Sequence, residues 1–343
     1  MSQSQRNIMS DYPSETTETL APMRDNSRFL IAGVQMHVPV SGRNVAAMTV
    51  QIEKTMALYP GTDMIVFSEL AMHGPLHACA NPDPQADEAV FRALAVKHRV
   101  WIVPGSYFVE RDGKLYNHAV VIDPDGEIAG RYDKMFPFMP FEQGVTGGTE
   151  FLIFDVPGIG RFGLSICYDI WFPETTRTLT SAGVEVLLHP VLTGTTDRQA
   201  ELSIVQATAA MFSCYVIDVN GLDSGGVGRS MVVDPTGNVV HRCGQMQEIF
   251  PINIDLGLVR QVRAEGMNGL GQTLKSFRDK SVVFTTYENN GASAYLESLG
   301  PLTHMRKRYP PRNLPAAPLA PSPAPGDTLP VVTAAPVVTE AKV

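Results

Sequence analysis

Gly160-Arg161-Phe162-Gly163-Leu164-Ser165-Ile166-Cys167-Tyr168-Asp169-Ile170-Trp171-Phe172-Pro173-Glu174 opens as a strand and ends as the start of a helix. The apolar run Phe162 to Ile166 predicts a buried strand, and Cys167 stands where that run meets a polar turn. Pro173 suits the first position of a helix, whose first turns follow over Thr175 to Leu179. A cysteine held at such a turn, near a helix N-terminus, is in a setting that favours the thiolate, the form that attacks carbon. The same residue equally suits a buried structural role, since free cysteine is among the most buried residue types. Partners for a nucleophile elsewhere in the chain decide between the two.

Working outward, the same grammar appears twice. In the first half, strands are expected at Phe29 to Met36, Met64 to Phe67 and Val100 to Ser106, with helices at Asn44 to Tyr59 and Ala86 to His98. A hairpin follows, Ser106 to Val109 and Tyr116 to Ile122 around Asp112-Gly113, then Glu127 to Tyr132. In the second half, strands are expected at Phe151 to Val156, Arg161 to Ile166, Val184 to Pro190 and Cys214 to Asn220. Helices at Thr175 to Ala182 and Asp197 to Ser213 separate them, and a hairpin (Gly228 to Val233, Asn238 to His241) and a strand at Ile249 to Ile254 close the series. Short, nearly continuous apolar strands alternating with helices predict two sheets covered by helices, an α/β layered sandwich. Leu256 to Arg278 reads as a polar helix and a surface segment, residues 1–27 as a flexible polar arm, and 311–343 as a disordered Pro- and Ala-rich tail.

Composition narrows the partners. The chain has 343 residues, 27 basic against 35 acidic, and a formal net charge of -8. That balance gives no electrostatic reason to expect nucleic acid or an anionic membrane. No run reaches transmembrane length, and the polar N-terminus lacks the apolar core of a secretory signal. The four cysteines, Cys79, Cys167, Cys214 and Cys243, are scattered without a CxxC pair or a Cys/His cluster at metal spacing. Neither zinc nor a disulfide framework is therefore expected, which fits a reducing cytoplasm.

Three stretches offer chemistry to Cys167. Ile65-Val66-Phe67-Ser68-Glu69 carries a carboxylate to the C-terminal end of a strand, where sites form in α/β proteins. Tyr132-Asp133-Lys134-Met135-Phe136 sets a lysine among apolar residues, and Phe136 to Gly144 suggests a stiff aromatic and proline wall containing Glu142. Taken singly, each also suits an exposed acid or a solvated lysine.

Together these segments resemble the nitrilase superfamily, the carbon-nitrogen hydrolases. The matching segments are Phe67-Ser68-Glu69-Leu70, Arg131-Tyr132-Asp133-Lys134 and Ile166-Cys167-Tyr168-Asp169 through Phe172-Pro173-Glu174, in that order, across roughly residues 28 to 280. The resemblance implies a four-layer αββα sandwich and a Glu69-Lys134-Cys167 triad, with Glu142 similar to the second glutamate of the aliphatic-amidase branch. It implies domain limits of 28–280, with 281–310 as a C-terminal extension making oligomer contacts. Hydrolysis would pass through a thioester and require no metal or organic cofactor. Glu69 would be the general base, while Lys134 and the Tyr168 N–H would hold the oxyanion. Tyr-Asp-Ile-Trp after the cysteine, where true nitrilases usually carry Trp-Glu, shifts the reading from nitriles to amides or carbamoyl groups. Phe67-Ser68 replaces the commoner Phe-Pro without removing the acid.

Phe138, Tyr168, Trp171, Phe172 and the Thr193 backbone are the candidate substrate contacts, against a core-packing role for the aromatics. His73 suits either the substrate or a hydrogen-bonded structural site, and Asp197 is explicable as a helix cap. Arg198 or Arg177 would supply a carboxylate clamp for carbamoyl amino acids, or a structural ion pair. The leading function is hydrolysis of a small linear amide to an acid and ammonia in a cytoplasmic homo-oligomer. N-carbamoyl amidohydrolysis, a nitrilase, acyl transfer and a catalytically silent scaffold are the alternatives.

Overall fold

The computed structural model describes residues 28–81, 83–288 and 293–302. The expected N-terminal arm and the 311–343 tail lie outside these residues. Contacts divide the chain into two units, Met1–Ser293 and Ala294–Val343. In the second unit a short helix, Ala294–Ser298, is described.

The first half of the large unit runs β1 (Arg28–Gln35), α1 (Val45–Leu58), β2 (Met64–Phe67), α2 (Pro84–His98), β3 (Trp101–Val103), β4 (Ser106–Arg111), β5 (Lys114–Ile122) and β6 (Ile128–Asp133). The second runs β7 (Leu152–Val156), β8 (Gly160–Leu164), α3 (Pro173–Ser181), β9 (Val186–Val191), α4 (Arg198–Phe212) and β10 (Tyr215–Asn220). It continues through β11 (Leu222–Asp223), β12 (Gly226–Val227), β13 (Met231–Val233), β14 (Val239–Arg242), β15 (Glu248–Asp255), α5 (Leu256–Glu265) and α6 (Thr273–Arg278). Each expected strand and helix is present, with ends shifted by a few residues. The expected polar helix at Leu256 is α5, which ends at Gly266, whose φ of 86° suits glycine; the segment after it carries the short α6.

The two halves build two sheets. One has the order β15-β1-β2-β3-β5-β4, with β6 also on β5; the other has the order β14-β13-β10-β9-β8-β7. At the centre of each is a parallel trio, β1-β2-β3 and β8-β9-β10, flanked by antiparallel strands. β15 returns the chain to the first sheet, pairing Arg28 with Asp255 through Gln35 with Glu248.

Alternation along the strands sorts the apolar residues into three layers. Ile31, Met64, Val66, Phe162, Leu164, Val186 and Ile217 face one core between the sheets. Ala32, Val34, Ile65 and Phe67 face the other way, onto Met48 and Ile52 of α1 and Phe91 and Leu94 of α2. Leu187 and Val216 likewise meet Leu179 of α3 and Leu202 and Val205 of α4. The architecture is therefore the expected αββα sandwich. Phe162 is central to it: its ring lies 5.4 Å from Phe29 of the first sheet and 5.7 Å from Phe154 of its own.

Candidate active site

Strand ends of both sheets converge on Cys167. Glu69 follows the end of β2, Lys134 follows β6, Cys167 follows β8 and Thr193 follows β9. Cys167 and Leu70, the residue after Glu69, both hold positive φ, 46° and 54°. Non-glycine residues in that region carry strain of order 1–3 kcal/mol, which the surrounding structure must impose. For Glu69 one cause is visible. The Leu70 N–H donates to Ser106 Oγ at 3.0 Å, and the Gly105 Cα packs so tightly on the Ser68 carbonyl that a Cβ there would lie 1.8 Å from its oxygen. Ser68 itself is buried, with no partner for its hydroxyl among the described residues.

Glu69, Lys134 and Glu142 form one buried cluster; Lys134 is 1% exposed. Lys134 Nζ donates to Glu69 Oε1 at 2.8 Å and to Glu142 Oε2 at 2.6 Å. Asn117 Nδ2 donates to both acids as well, to Glu69 Oε1 at 2.9 Å and to Glu142 Oε1 at 2.8 Å. The Leu192 N–H donates to Glu69 Oε2 at 2.9 Å, and the Phe138 N–H to Glu142 Oε2 at 2.6 Å. A carboxylate has about four acceptor positions, so each acid keeps one open, on Glu69 Oε2 and on Glu142 Oε1. An ammonium has three donors, so Lys134 keeps one N–H. Burial opposes the Lys134 charge, but Glu69, Cys167 and Glu142 outweigh it and hold the amine well above its usual range.

Cys167 differs from the sequence expectation. A 3-10 helix, Cys167–Trp171, begins at the cysteine, and α3 starts at Pro173 as expected. Burial pushes the Cys167 thiol well up, and the charges of Glu69 and Glu201 add to this against the opposing pull of Lys134. That direction runs against the expected helix-stabilised thiolate, because burial and two carboxylates oppose charge on the sulfur beside one short turn of N–H groups. The Tyr168 N–H makes no hydrogen bond among the described residues.

Phe138, Tyr168, Trp171 and Phe172 form one partly exposed aromatic wall beside this turn. Tyr168 lies 4.9 Å from Phe138, 5.9 Å from Trp171 and 5.2 Å from Phe172, ring centre to ring centre. Their exposure distinguishes them from core aromatics. Thr193 meets the site otherwise than expected. Asn220 occupies its backbone, accepting from the N–H at 2.9 Å and donating to the carbonyl at 3.0 Å, and the side-chain hydroxyl lies 3.5 Å from Cys167 Sγ.

Four expected roles fall elsewhere. Arg198 is fully buried and donates to Glu201 at 2.6 Å and to Asp218. Arg177 sits over the rings of Phe212 and Phe277, at 5.0 and 4.2 Å. Arg198 is therefore no free clamp, while Arg177 Nε has no hydrogen-bond partner among the described residues. His73 Nε2 lies 2.7 Å from Asp87 Oδ2, the structural option. Asp197 precedes α4 but makes no side-chain cap.

The sequence reading missed Asn117, Asp169 and Glu201. Asn117 stands inside a strand, where asparagine is depleted, and that misfit was a usable signal. Asp169 accepts from the Ile166 and Phe136 N–H groups at 2.9 Å each and from Tyr132 at 2.8 Å, and so pins the cysteine turn to the Lys134 loop. Burial raises its carboxyl to about 6 against those donors. Glu201 gave no local signal.

His241, Cys243 and Glu248 place their ligand atoms within 4.8 Å of one another, so folding builds the Cys/His cluster that sequence spacing did not suggest. These residues could hold a cation, at the crossover from β14 to β15. A surface groove of about 520 Å³ between the β7–β8 turn and α5 shares no residue with the Cys167 site, and its Arg161 and Arg260 are paired to Asp155 and Glu185.

Residues 30–264 match the family described as Carbon-nitrogen hydrolase, and the chain belongs to it. It is therefore a hydrolase of carbon–nitrogen bonds. It is 32% identical over 213 residues to the 2-oxoglutaramate amidase of Bacillus subtilis (strain 168), covering 59% of this chain and 81% of that one. It is 26% identical over 247 residues to a formamidase of Allorhizobium ampelinum, covering 67% and 73%. Its fold is similar to the crystal structure of a carbon-nitrogen hydrolase from Helicobacter pylori G27, with a TM-score of 0.66 and 25% identity over 77% of this chain and 98% of that one.

Proposed function

We propose that the chain hydrolyses a small linear amide to a carboxylic acid and ammonia, with Cys167 as nucleophile and Glu69, Lys134 and Glu142 as its machinery. The observation that carries this reading is the buried lysine bridging two glutamates that each keep one open acceptor position. The Cys167 sulfur attacks the amide carbon while its proton passes to Glu69 Oε2. The spare Lys134 N–H and the Tyr168 N–H receive the oxyanion. Glu69 returns the proton to the departing ammonia, then draws one from water as the thioester is hydrolysed and the thiol reforms. Glu142 Oε1 orients the substrate N–H or the water.

The similarity to enzymes named 2-oxoglutaramate amidase and formamidase supports small amides as the substrate class. The N-carbamoyl alternative loses Arg198 as a carboxylate clamp, because that arginine is engaged by Glu201 and Asp218. The exposed side chains of Val282, Val283, Phe284 and Tyr287 support the segment after α6 as an oligomer contact.

The test is ammonia release from panels of short amides and N-carbamoyl amino acids, with carbon dioxide followed in parallel. Cys167→Ala abolishes turnover with the melting transition unchanged. Retained turnover would overturn the mechanism, and stoichiometric carbon dioxide would move the substrate class to carbamoyl compounds.

A further inference from the structure

A carboxylate that the triad chemistry does not use touches the nucleophile. Glu201, in the first turn of α4, is fully buried. Its Oε1 accepts from the Thr193 hydroxyl at 3.1 Å and lies 3.9 Å from Cys167 Sγ, with the thiol as donor. Its Oε2 accepts from Arg198 Nη1 at 2.6 Å. Arg198 is held in turn by Asp218 and by the Arg229 carbonyl, which it meets at 2.7 Å. The carboxylate is thus fixed against the sulfur by a buried arginine whose other contacts do not depend on it. Lys134 and Glu69 follow strand ends of the first sheet, whereas Thr193 follows β9 of the second and Glu201 lies on α4, which packs against that sheet.

We infer that Glu201 is a further catalytic residue, which holds the Cys167 thiol protonated in the free enzyme so that Glu69 takes the proton only when an amide is in place. The inference rests on Cys167 being the nucleophile. The resting S–H donates to the Glu201–Thr193 pair, and the negative charge of Glu201 opposes a second negative charge on sulfur. When substrate enters, the developing oxyanion is matched by Lys134 and the proton moves to Glu69, with no net charge added near Glu201. The arrangement suppresses thiolate, the form open to oxidation and stray alkylation, between turnovers. Burial raises the Glu201 carboxyl to about 7, against the pull of Arg198 and with the help of Asp218, so its charge changes in the neutral range.

The experiment is the pH dependence of Cys167 alkylation by iodoacetamide in the full chain, read by mass spectrometry on the Cys167 peptide so that the other cysteines do not contribute. In the wild type, log rate against pH flattens above about 7, where thiol and carboxylate compete for one proton. In Glu201→Gln, which keeps the shape and leaves Arg198 on Asp218, the flattening disappears and alkylation at pH 7 rises by about tenfold, as a one-unit fall in thiol pKa gives. A folded Glu201→Gln variant with unchanged rate and profile overturns the inference. If that variant does not fold, the wild-type curve decides: a straight line through neutral pH overturns it. Failure of the nucleophile assignment is distinguishable, because Cys167→Ala would then still release ammonia.

Discussion

Glu69 and Glu142 share one lysine and one asparagine, and Asn117 is what keeps the two acids apart in role. It gives both N–H donors to them and keeps its own carbonyl oxygen unpartnered among the described residues. Its amide fills one acceptor position on each acid, which leaves a single open position on each. Asn117→Ala therefore lowers kcat by about 10- to 100-fold, the range expected when a positioned proton-transfer group loses its orientation. It also costs about 1–3 kcal/mol of stability, because two buried acceptors lose a donor. Steady-state ammonia release and denaturant titration check both effects. Glu69→Gln keeps the shape of the side chain but not its basicity, and slows formation of the thioester by at least about 100-fold. Single-turnover kinetics at wild-type rates would remove Glu69 from the base role.

At the scale of elements, the site depends on how α4 is fastened to the second sheet. Arg198 is fully buried, bonds Glu201 one turn on, and reaches across to Asp218 on β10 and to the Arg229 carbonyl. A buried pair adds little net stability over a well-packed apolar substitute, but removal of one partner strands the charges that remain. Arg198→Met leaves Glu201 and Asp218 buried together without a cation and costs about 3–5 kcal/mol. Thermal melts check this, and a loss within about 0.5 kcal/mol would mean that α4 is held by its apolar face alone.

For the molecule as a whole, buried titrating groups between the sheets and helices set opposing pH slopes. Burial pushes the His189 imidazole down to about 4, so the ring is neutral at pH 7, its Nδ1 2.9 Å from Ser165 Oγ. A group with a depressed folded pKa has its stabilisation present above its unfolded value, near 6.5, and loses it as pH falls towards 4. Asp169 and Glu201, raised by burial to about 6 and about 7, act in the opposite sense, and their contribution is lost as pH rises through those values. The slopes offset between about pH 4.5 and 6.5. His189→Gln removes one side of the balance, so its melting temperature rises relative to that of the wild type as pH is lowered across this window. Parallel curves for the two proteins would show that His189 carries no such linkage.

The sequence by itself determined the order of strands and helices, the repeat of that order in two halves, and the candidate catalytic side chains Glu69, Lys134, Cys167 and Glu142. These are legible because apolar periodicity is local, and because each candidate sits in a short segment whose context resembles a known one. The aromatic residues beside Cys167 were legible as candidates for the same reason, but their partial exposure was not. Only the tertiary structure decided the burial that pushes the cysteine thiol up, the engagement of Arg198 and His73, the contact made through the Thr193 hydroxyl, the bonds from Asp169 to Tyr132 and Phe136, and the arrival of Asn117 and Glu201 around the same turn. Each of these is a relation between residues far apart in the chain: Asn117 lies 48 positions from Glu69, and Glu201 lies 34 from Cys167. No local pattern encodes such separations. Desolvation, which pushes up both the Cys167 thiol and the Glu201 carboxyl, exists only once two sheets and their helices have closed around both groups.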